Sequence, residues 1–485
     1  MKYTQNSAYL VFLLLLLPFL FSCGNISPGQ EFGNISTPPS AETKMPAPAK
    51  SSPSPQLPTV TIRPVSAIKV TPEELNGVEI QFWYSRNGNI DETLAQLVEQ
   101  FNVGNEWKIK VEATSLNGID ELDTEVSNAI LTTGNIPDLT TGYIYQARNW
   151  NAIRDIVVDL NAYVQDPIWG IQADEISDFY PEFWDSDLIS STRWALPAWR
   201  SGKVIFYNQT WGRELGFSAP PTTPEQFIKQ ACAATKAYLQ TSPKPDAGRG
   251  GWIISTDFSS TIAWMYAFGG NILKPDGAGY NFDTPQVTKT FQFLRKLFDD
   301  QCAWLPESQV PVGEFAARDG LMMTGSIIDL PRIGNYFTQS GNPDEWTVIP
   351  FPTNEDKPII TVYGPSYVIF HTSPQRELAA WLFVKWLLKT ENQIQLAKAG
   401  NTFPLRRSVV KQLENDPTIN PAWQASFDLI PYVRDEPNLG SWEIVRWAVS
   451  DAHRQIYQWY FKADQIPSLV RLLNETVNSM PNVGK

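Results

Sequence analysis

Between residues 78 and 113 the apolar positions change period twice. Val78, Ile80 and Phe82 alternate, as on a strand with one buried face. Leu94, Leu97, Val98 and Phe101 then fall at helical spacing, with Asp91 and Glu92 in the first turn, where the helix dipole favours negative charge. Ile109, Val111 and Ala113 alternate again. Strand, helix and strand in this order predict a βαβ unit with a parallel sheet, so the fold class is read as α/β. The alternation runs on. A helix is expected over 122–131, and Ile136-Pro137-Asp138-Leu139 leads into a third strand. Residues 194–197 and 204–207 read as short strands. Thr222-Thr223-Pro224-Glu225 opens a helix through Phe227 and Cys232, and another helix spans 285–298. Ser373 and Pro374 supply an N-cap and a first-turn proline for a helix whose apolar face is Ala379, Leu382, Phe383, Trp386 and Leu387, with Gly400 near its end.

The start of the chain obeys other rules. Lys2 gives a positive head, and residues 9–21 are almost all apolar. That stretch is shorter than the roughly 20 residues a membrane-spanning helix needs, and it has the length of a signal-peptide core. Leu20-Phe21-Ser22-Cys23-Gly24 follows, with a small residue at Ser22 suited to a signal peptidase. The cysteine after it resembles a bacterial lipobox, in which the thiol takes a diacylglyceryl group and becomes the mature N-terminus. Lipid on Cys23 would hold the protein to the outer side of the cell membrane. An uncleaved anchor or an ordinary signal peptide is the alternative. Residues 23–75 are rich in Pro, Ser and Thr, as at Pro46-Ala47-Pro48-Ala49, and bury too little to fold. They read as a semi-extended tether after a signal peptide over 1–22.

Roughly 410 residues remain, too many for one ordinary core, so two lobes are expected. The net charge of −13, from 51 acidic and 38 basic residues, argues against nucleic acid as a partner. Two histidines, His371 and His453, leave no material for a histidine metal cluster and almost none for a Ser-His-Asp triad. No cofactor or metal is expected. Cys232 and Cys302 are an even pair, expected as a disulfide in an oxidising compartment, with two buried free thiols as the alternative.

Several ordered motifs carry a resemblance. They are Gln81-Phe82-Trp83-Tyr84 at a strand end, Gly134-Asn135-Ile136-Pro137-Asp138-Leu139, Ala195-Leu196-Pro197 and Ile205-Phe206-Tyr207-Asn208. Pro220-Pro221-Thr222-Thr223-Pro224 and Trp264-Met265-Tyr266-Ala267-Phe268-Gly269-Gly270 follow. Gly320-Leu321-Met322-Met323 with Gly325-Ser326, the helix from Pro374, and Thr402-Phe403-Pro404-Leu405-Arg406-Arg407-Ser408 complete the set. In this order they resemble the extracellular solute-binding proteins of ABC importers, the carbohydrate-binding, maltose-binding-like group. The resemblance implies two α/β lobes joined by crossing strands, with ligand in the cleft and closure about the hinge. It implies a first lobe over 77–203 and 350–402, and a second over 204–349 and 403–485. It also implies a permease as partner, a monomer, and no catalysis. The family often has Trp soon after Gly-Ser, where Ile327 and Ile328 stand here.

In open α/β sheets ligands bind beyond the carboxyl ends of strands. The candidates so placed in the first lobe are Trp83, Tyr84, Ser85, Arg86, Tyr143 and Tyr145, with Trp199 and Arg200 at the crossing. In the second lobe they are Asp257, Trp264, Tyr266, Ser326 and Asp329. Gly364, Ser366, Tyr367, Arg406 and Trp442 complete the set. Sugars present C–H faces that stack on aromatics and hydroxyl rims that need charged partners, and this mixture fits both. The competing readings are a lipid-anchored glycoside hydrolase, which needs two facing carboxylates, a sensory solute-binding module, and a receptor for a non-sugar solute.

Overall fold

In the computed structural model the opening pattern is β1 (Glu79–Ser85), a helix over Asn89–Gly104 and β2 (Lys110–Leu116), with β1 and β2 parallel along their whole length. Ile80, Phe82 and Tyr84 point to one face and are buried against a core that includes Leu94, Leu97 and Phe101. The structure describes residues 65–132, 134–241, 249–308 and 310–480, all within the folded unit Arg63–Lys485. The leader, Cys23 and the tether up to residue 64 lie outside the described residues. Among the described residues no helix is long and apolar enough to cross a membrane.

The remaining strands are β3 (Leu139–Gly142), the paired β4 (Leu188–Ile189) and β5 (Thr192–Arg193), β6 (Leu196–Pro197) and β7 (Ser201–Asn208). Then come β8 (Gly250–Ile253), β9 (Ala303–Trp304), β10 (Gly320–Ser326) and β11 (Trp346–Ile349), followed by β12 (Ile360–Tyr363), β13 (Ser366–Ile369) and β14 (Val433–Asp435). Two large sheets result. The first has the order β2-β1-β3-β13-β6, and the second the order β14-β12-β7-β10-β8-β9 with β11 also on β7. β7 is the spine of the second sheet. One edge pairs with β10 from Lys203 to Tyr207, and the other with β12 at Ser201 and Gly202 and then with β11 from Ile205.

The chain passes between the sheets at two adjacent places. Ala198, Trp199 and Arg200 lead from β6 into β7, and Gly364 and Pro365 lead from β12 back into β13. The Ala198 N–H donates to the Pro365 carbonyl at 3.1 Å. A Cβ on Gly364 would sit 2.2 Å from the Trp199 carbonyl oxygen, so only glycine lets the crossings lie this close. Phe403 bridges to Arg200 alongside them.

The helix expected to run from Pro374 to Gly400 is two helices, Pro374–Leu387 and Thr390–Gly400. Ser373 accepts from the Arg376 N–H as its N-cap. At the break, side chains serve the freed carbonyls: Asn392 donates to Trp386, Gln393 to Leu387 and Arg406 to Leu388. Cys232, on the helix Pro224–Thr241, and Cys302, just before β9, are joined in a disulfide with Cα atoms 4.5 Å apart.

Candidate functional site

The parallel strands β8, β9 and β10 end on the same side of the second sheet. The segments beyond them border a cavity of about 460 Å³, within the range of small-molecule sites. After β8 the chain runs to Asp257, which caps the helix Phe258–Ala267. One Asp257 oxygen accepts from the Ser260 N–H at 3.0 Å; the other accepts from Ser255 Oγ at 2.5 Å and Ser260 Oγ at 2.6 Å. Lys203, from β7, places Nζ 3.2 Å from Asp257 Oδ1 and 5.8 Å from the Tyr363 ring centre. Burial works against both charges. Asp257 outweighs it for Lys203, whose ammonium is held above its ordinary value. Lys203 and the serine donors outweigh it for Asp257, held below the usual carboxylate range. Behind them Tyr363 Oη donates to Ser326 Oγ at 2.8 Å, and the Ser326 N–H donates to Asp329 at 2.9 Å.

The opposite border is the helix Trp442–Gln455. Its buried face is Trp442, Val445, Arg446, Val449 and His453. Trp447 leaves that face: it is 51% exposed and stands edge-on to Phe258, ring centres 5.5 Å apart. The Arg446 guanidinium lies over Tyr145, Phe258 and Trp447 at 5.1–5.4 Å and donates to the Tyr145 hydroxyl at 2.5 Å. A half-exposed indole and a charged pair thus face one cavity, an arrangement that can stack on an apolar ring face and bind polar groups at its rim.

A second, narrower cavity of about 80 Å³ lies between the two sheets. Tyr143 and Tyr145, stacked at 5.4 Å, face Tyr363, Asp435 and Glu436 across it. Burial first, then Tyr363 and Glu436, pushes the Tyr143 hydroxyl up. The Asp435 carboxyl is open to solvent at one edge but ringed by protein. It is pushed up to about 7, chiefly by lost hydration, with Arg200 opposing and Asp187 and Glu436 adding. Glu436 accepts from Ser259 Oγ and from Trp442 Nε1.

Arg200 closes the floor. Its Nη2 meets both Asp187 oxygens at 3.0 and 3.1 Å, Ser366 Oγ at 2.8 Å and Ser186 Oγ at 3.0 Å. Its Nη1 donates to the carbonyls of Trp199, Gly364 and Pro365.

The expected residues therefore fall into distinct places. Tyr143, Tyr145, Asp257, Ser326 and Asp329 gather around the two cavities, and Arg200, Gly364 and Ser366 form the crossing between the sheets. Trp199 is buried at that crossing. Tyr84 and Tyr367 lie in the first core, beside Phe82. Ser85 is buried, and its N–H donates to Thr141 Oγ1. Arg86 is a surface residue near Asp91. Trp83 lies on the other face of the first sheet, in a groove with Ile136 and His371. Trp264 is wholly buried among Trp252, Phe227 and Phe351, and Tyr266 is covered by Arg434, because the helix carrying them is buried all round. Arg406 is buried against Asp178 and Phe179. Trp442 is fully buried with its N–H spent on Glu436. Lys203, Phe258, Arg446, Trp447, Asp435 and Glu436 were not among the expected residues.

A family model described as bacterial extracellular solute-binding protein matches residues 96–425. The diacetylchitobiose binding protein DasA of Streptomyces coelicolor is 22% identical over 353 residues, which is 70% of this chain and 76% of DasA. Two solved structures superpose with a TM-score of 0.69. The cyclic alpha-maltosyl-1,6-maltose binding protein of Arthrobacter globiformis, 17% identical, aligns over 83% of this chain and 99% of its own. The sugar-binding protein MalE of Xanthomonas citri, 20% identical, aligns over 83% and 96%. These identities speak for the fold, a mixed α/β architecture of the two-lobed maltose-binding kind. The family match covers well over half of the chain, and the protein belongs to the bacterial extracellular solute-binding protein family.

Proposed function

We propose that the protein captures a sugar of one or a few rings in the cleft between its two sheets and delivers it to the permease of an ABC-type importer. The observation that carries this reading is the wall of the 460 Å³ cavity, where Trp447 and Phe258 offer an aromatic platform beside the Lys203–Asp257 pair. A sugar ring has an apolar C–H face for such a platform and a hydroxyl rim for such a pair. Relatives named for diacetylchitobiose and cyclic maltosyl-maltose support the same class.

In this reading the two large sheets belong to different lobes, 77–203 with 350–402 and 204–349 with 403–485, except that β12 (Ile360–Tyr363) and the start of β7 pair into the second sheet. The lobes pivot where residues 198–200 and 364–365 cross, and Arg200 fastens the crossing. The residues that meet ligand are Lys203, Asp257, Phe258, Asp329 and Trp447 from one side and Tyr143 and Tyr145 from the other. Ligand shifts the open–closed equilibrium because only the closed form lets both lobes touch it. Lipid on Cys23 keeps the receptor beside its permease, the protein acts as a monomer, and the sugar leaves unchanged.

A thermal-shift screen against mono- and oligosaccharides tests the substrate class, since a ligand bound only by the native form raises the melting temperature. At least one sugar is expected to do so, and Trp447→Ala to reduce the shift at the same sugar concentration. Shifts by amines or organic acids but by no sugar, or turnover of a glycoside, would sink the reading. Replacing Cys23 by Ala should release the protein from cell membranes.

A further inference from the structure

Away from the cleft, two aromatic rings stand in water. Trp459 is 91% exposed, more than any other large hydrophobic residue of the described chain, and Tyr460 is 57% exposed. Neither borders a cavity of the cleft. Their rings stand edge-on to each other, with centres 5.6 Å apart. They belong to the segment 456–462, between the helices Trp442–Gln455 and Ile466–Ser479. That segment is held from below. Ile456, Tyr457 and Phe461 are buried in the second core. The Tyr457 hydroxyl lies 3.0 Å from His453 Nε2, and Arg295 Nη1 donates to the carbonyls of Ile456 and Gln458. The two rings are thus displayed from a fixed base.

Three observations choose what covers them. The first is size and chemistry. Two such rings can bury roughly 150–250 Å² each, well short of the roughly 800 Å² per partner of a stable protein interface. A bilayer surface asks for no such area, and Trp and Tyr suit its headgroup level because each has an apolar body and a polar tip. The second is charge. The chain as a whole has 51 acidic and 38 basic residues, yet within five positions of Trp459 Arg454 and Lys462 stand against Asp464 alone. Lys462 makes no ion pair among the described residues, so its stem can lie along the rings while its ammonium meets lipid phosphate. The third is the length of chain before the folded part. From Cys23 to Val65 about 40 residues can span at most about 140 Å. A compact body of about 410 residues has a radius of gyration of about 22 Å. Lipid on Cys23 would therefore let any face of the body reach the bilayer, at an effective concentration that makes a weak contact count.

We infer that Trp459 and Tyr460 form a membrane-docking tip: in the anchored protein the two rings enter the headgroup level of the bilayer that holds the anchor, with Lys462 on lipid phosphate. The inference rests on the reading of Cys23 as the lipid site. It adds an orientation to that reading. An anchor alone lets the receptor tumble at the end of its tether, whereas a docked tip holds the end of helix Trp442–Gln455 against the membrane.

The chain from Cys23 onward has one free thiol, because Cys232 and Cys302 are bonded to each other. Coupling that thiol to a maleimide lipid in vesicles of phosphatidylcholine and phosphatidylglycerol supplies an anchor whether or not cells put lipid there. Hydroxyl-radical labelling read by mass spectrometry then reports the exposure of each ring. Oxidation of Trp459 and Tyr460 should fall about two-fold or more on vesicles relative to the uncoupled protein, while Trp447 keeps its rate. Trp459→Ala should return Tyr460 to its uncoupled rate, and circular dichroism melts confirm that the variant is folded. Equal rates on and off vesicles at both positions overturn the inference, and so does a fall shared equally by Trp447, which marks shielding by the vesicle itself. Protection that grows with protein concentration in the absence of vesicles makes a second copy the occupant, and protection that needs the permease in the vesicle makes it a protein surface; either overturns the bilayer. Protection of the tip on vesicles, together with Cys23→Ala protein that stays on cell membranes, upholds the docking while the lipid reading fails.

Discussion

Two ion pairs anchored three residues apart, one just before β7 and one on it, have opposite characters. Arg200–Asp187 is at the crossing between the sheets, with side chains only 3% and 2% exposed. Seven hydrogen bonds from the terminal nitrogens of Arg200 go to carbonyls, hydroxyls and the Asp187 carboxylate. The hydrogens of those two nitrogens are thus committed within the protein. Lys203–Asp257 is on the cavity wall, 15% and 33% exposed, and Lys203 has one carboxylate partner and ammonium hydrogens to spare. Burial alone separates the two roles. The closed pair fixes the place where the chain changes sheets, and the open pair keeps hydrogen-bonding capacity facing a cavity. An arginine at a strand crossing is thus no stronger a mark of a binding site than any other buried charge that must be satisfied.

The sharpest way to break this contrast is to remove the closed pair by half. Arg200→Met should strand the buried Asp187 carboxylate and cost about 3–5 kcal/mol of folding stability. Urea denaturation measures it, and a loss under about 1 kcal/mol would place Arg200 with the surface pairs instead. The next effect comes from beneath the wall. His453 is buried between Thr261, on the helix capped by Asp257, and Tyr457, with ring nitrogens at 2.8 and 3.0 Å from their hydroxyls. Burial pushes it down to about 3 from an ordinary 6.5. The unfolded chain takes up a proton below about 6.5 that the folded one refuses, so stability present above that pH is lost as pH falls toward about 3. The slope from this group approaches about 1.4 kcal/mol per pH unit within the window. His453→Gln should flatten it, as urea midpoints at pH 7.5, 6 and 5 would reveal, with no matching change at the crossing.

The architecture was legible early because burial forces a period on the sequence. Val78, Ile80 and Phe82 against Leu94, Leu97 and Phe101 gave strand and helix, while of the second sheet only the strand at 204–207 was read from the residues. The break at Leu388-Lys389 was not legible, because Arg406, Asn392 and Gln393 satisfy its carbonyls from positions only the fold brings close. The site was legible in part. Asp257, Ser326 and Asp329 follow from the rule that ligands sit beyond strand ends. Lys203 was lost because the strand was read from 204 when it starts at Ser201. Trp264 and Tyr266 looked like cleft residues, but Ser259, Ser260 and Thr261 are buried as well, so that helix has no wet face. Trp447 had a usable signal. Trp442, Val445 and Val449 mark the apolar stripe of its helix, and an indole five residues after Trp442 points off it.

That signal sets up a smaller effect. Trp447→Ala removes half-exposed aromatic surface from the cavity and leaves the core alone. Sugar affinity should fall about ten-fold, or about 1.4 kcal/mol, while folding stability moves within about 0.5 kcal/mol. Calorimetric titration and a urea curve on the same sample measure both, and equal losses in the two would mark the residue as packing.

The smallest effect tests the open pair itself. Lys203→Met leaves Asp257 without its cation, yet Ser255 and Ser260 still donate to the carboxylate, and it caps a helix whose dipole favours negative charge. Asp257 is one-third exposed, so water makes up part of the loss. The cost should be about 1 kcal/mol or less at neutral pH. Its direction with pH is fixed. The folded-state value of Asp257 is depressed, so the stability tied to its charge is present above the ordinary carboxylate range and is lost as pH falls through the lowered value. The gap between wild type and variant should therefore close on acidification, as paired urea titrations at pH 7 and pH 3 would measure. A gap that stays constant would mean that the Lys203 stem contributes through packing and not through charge.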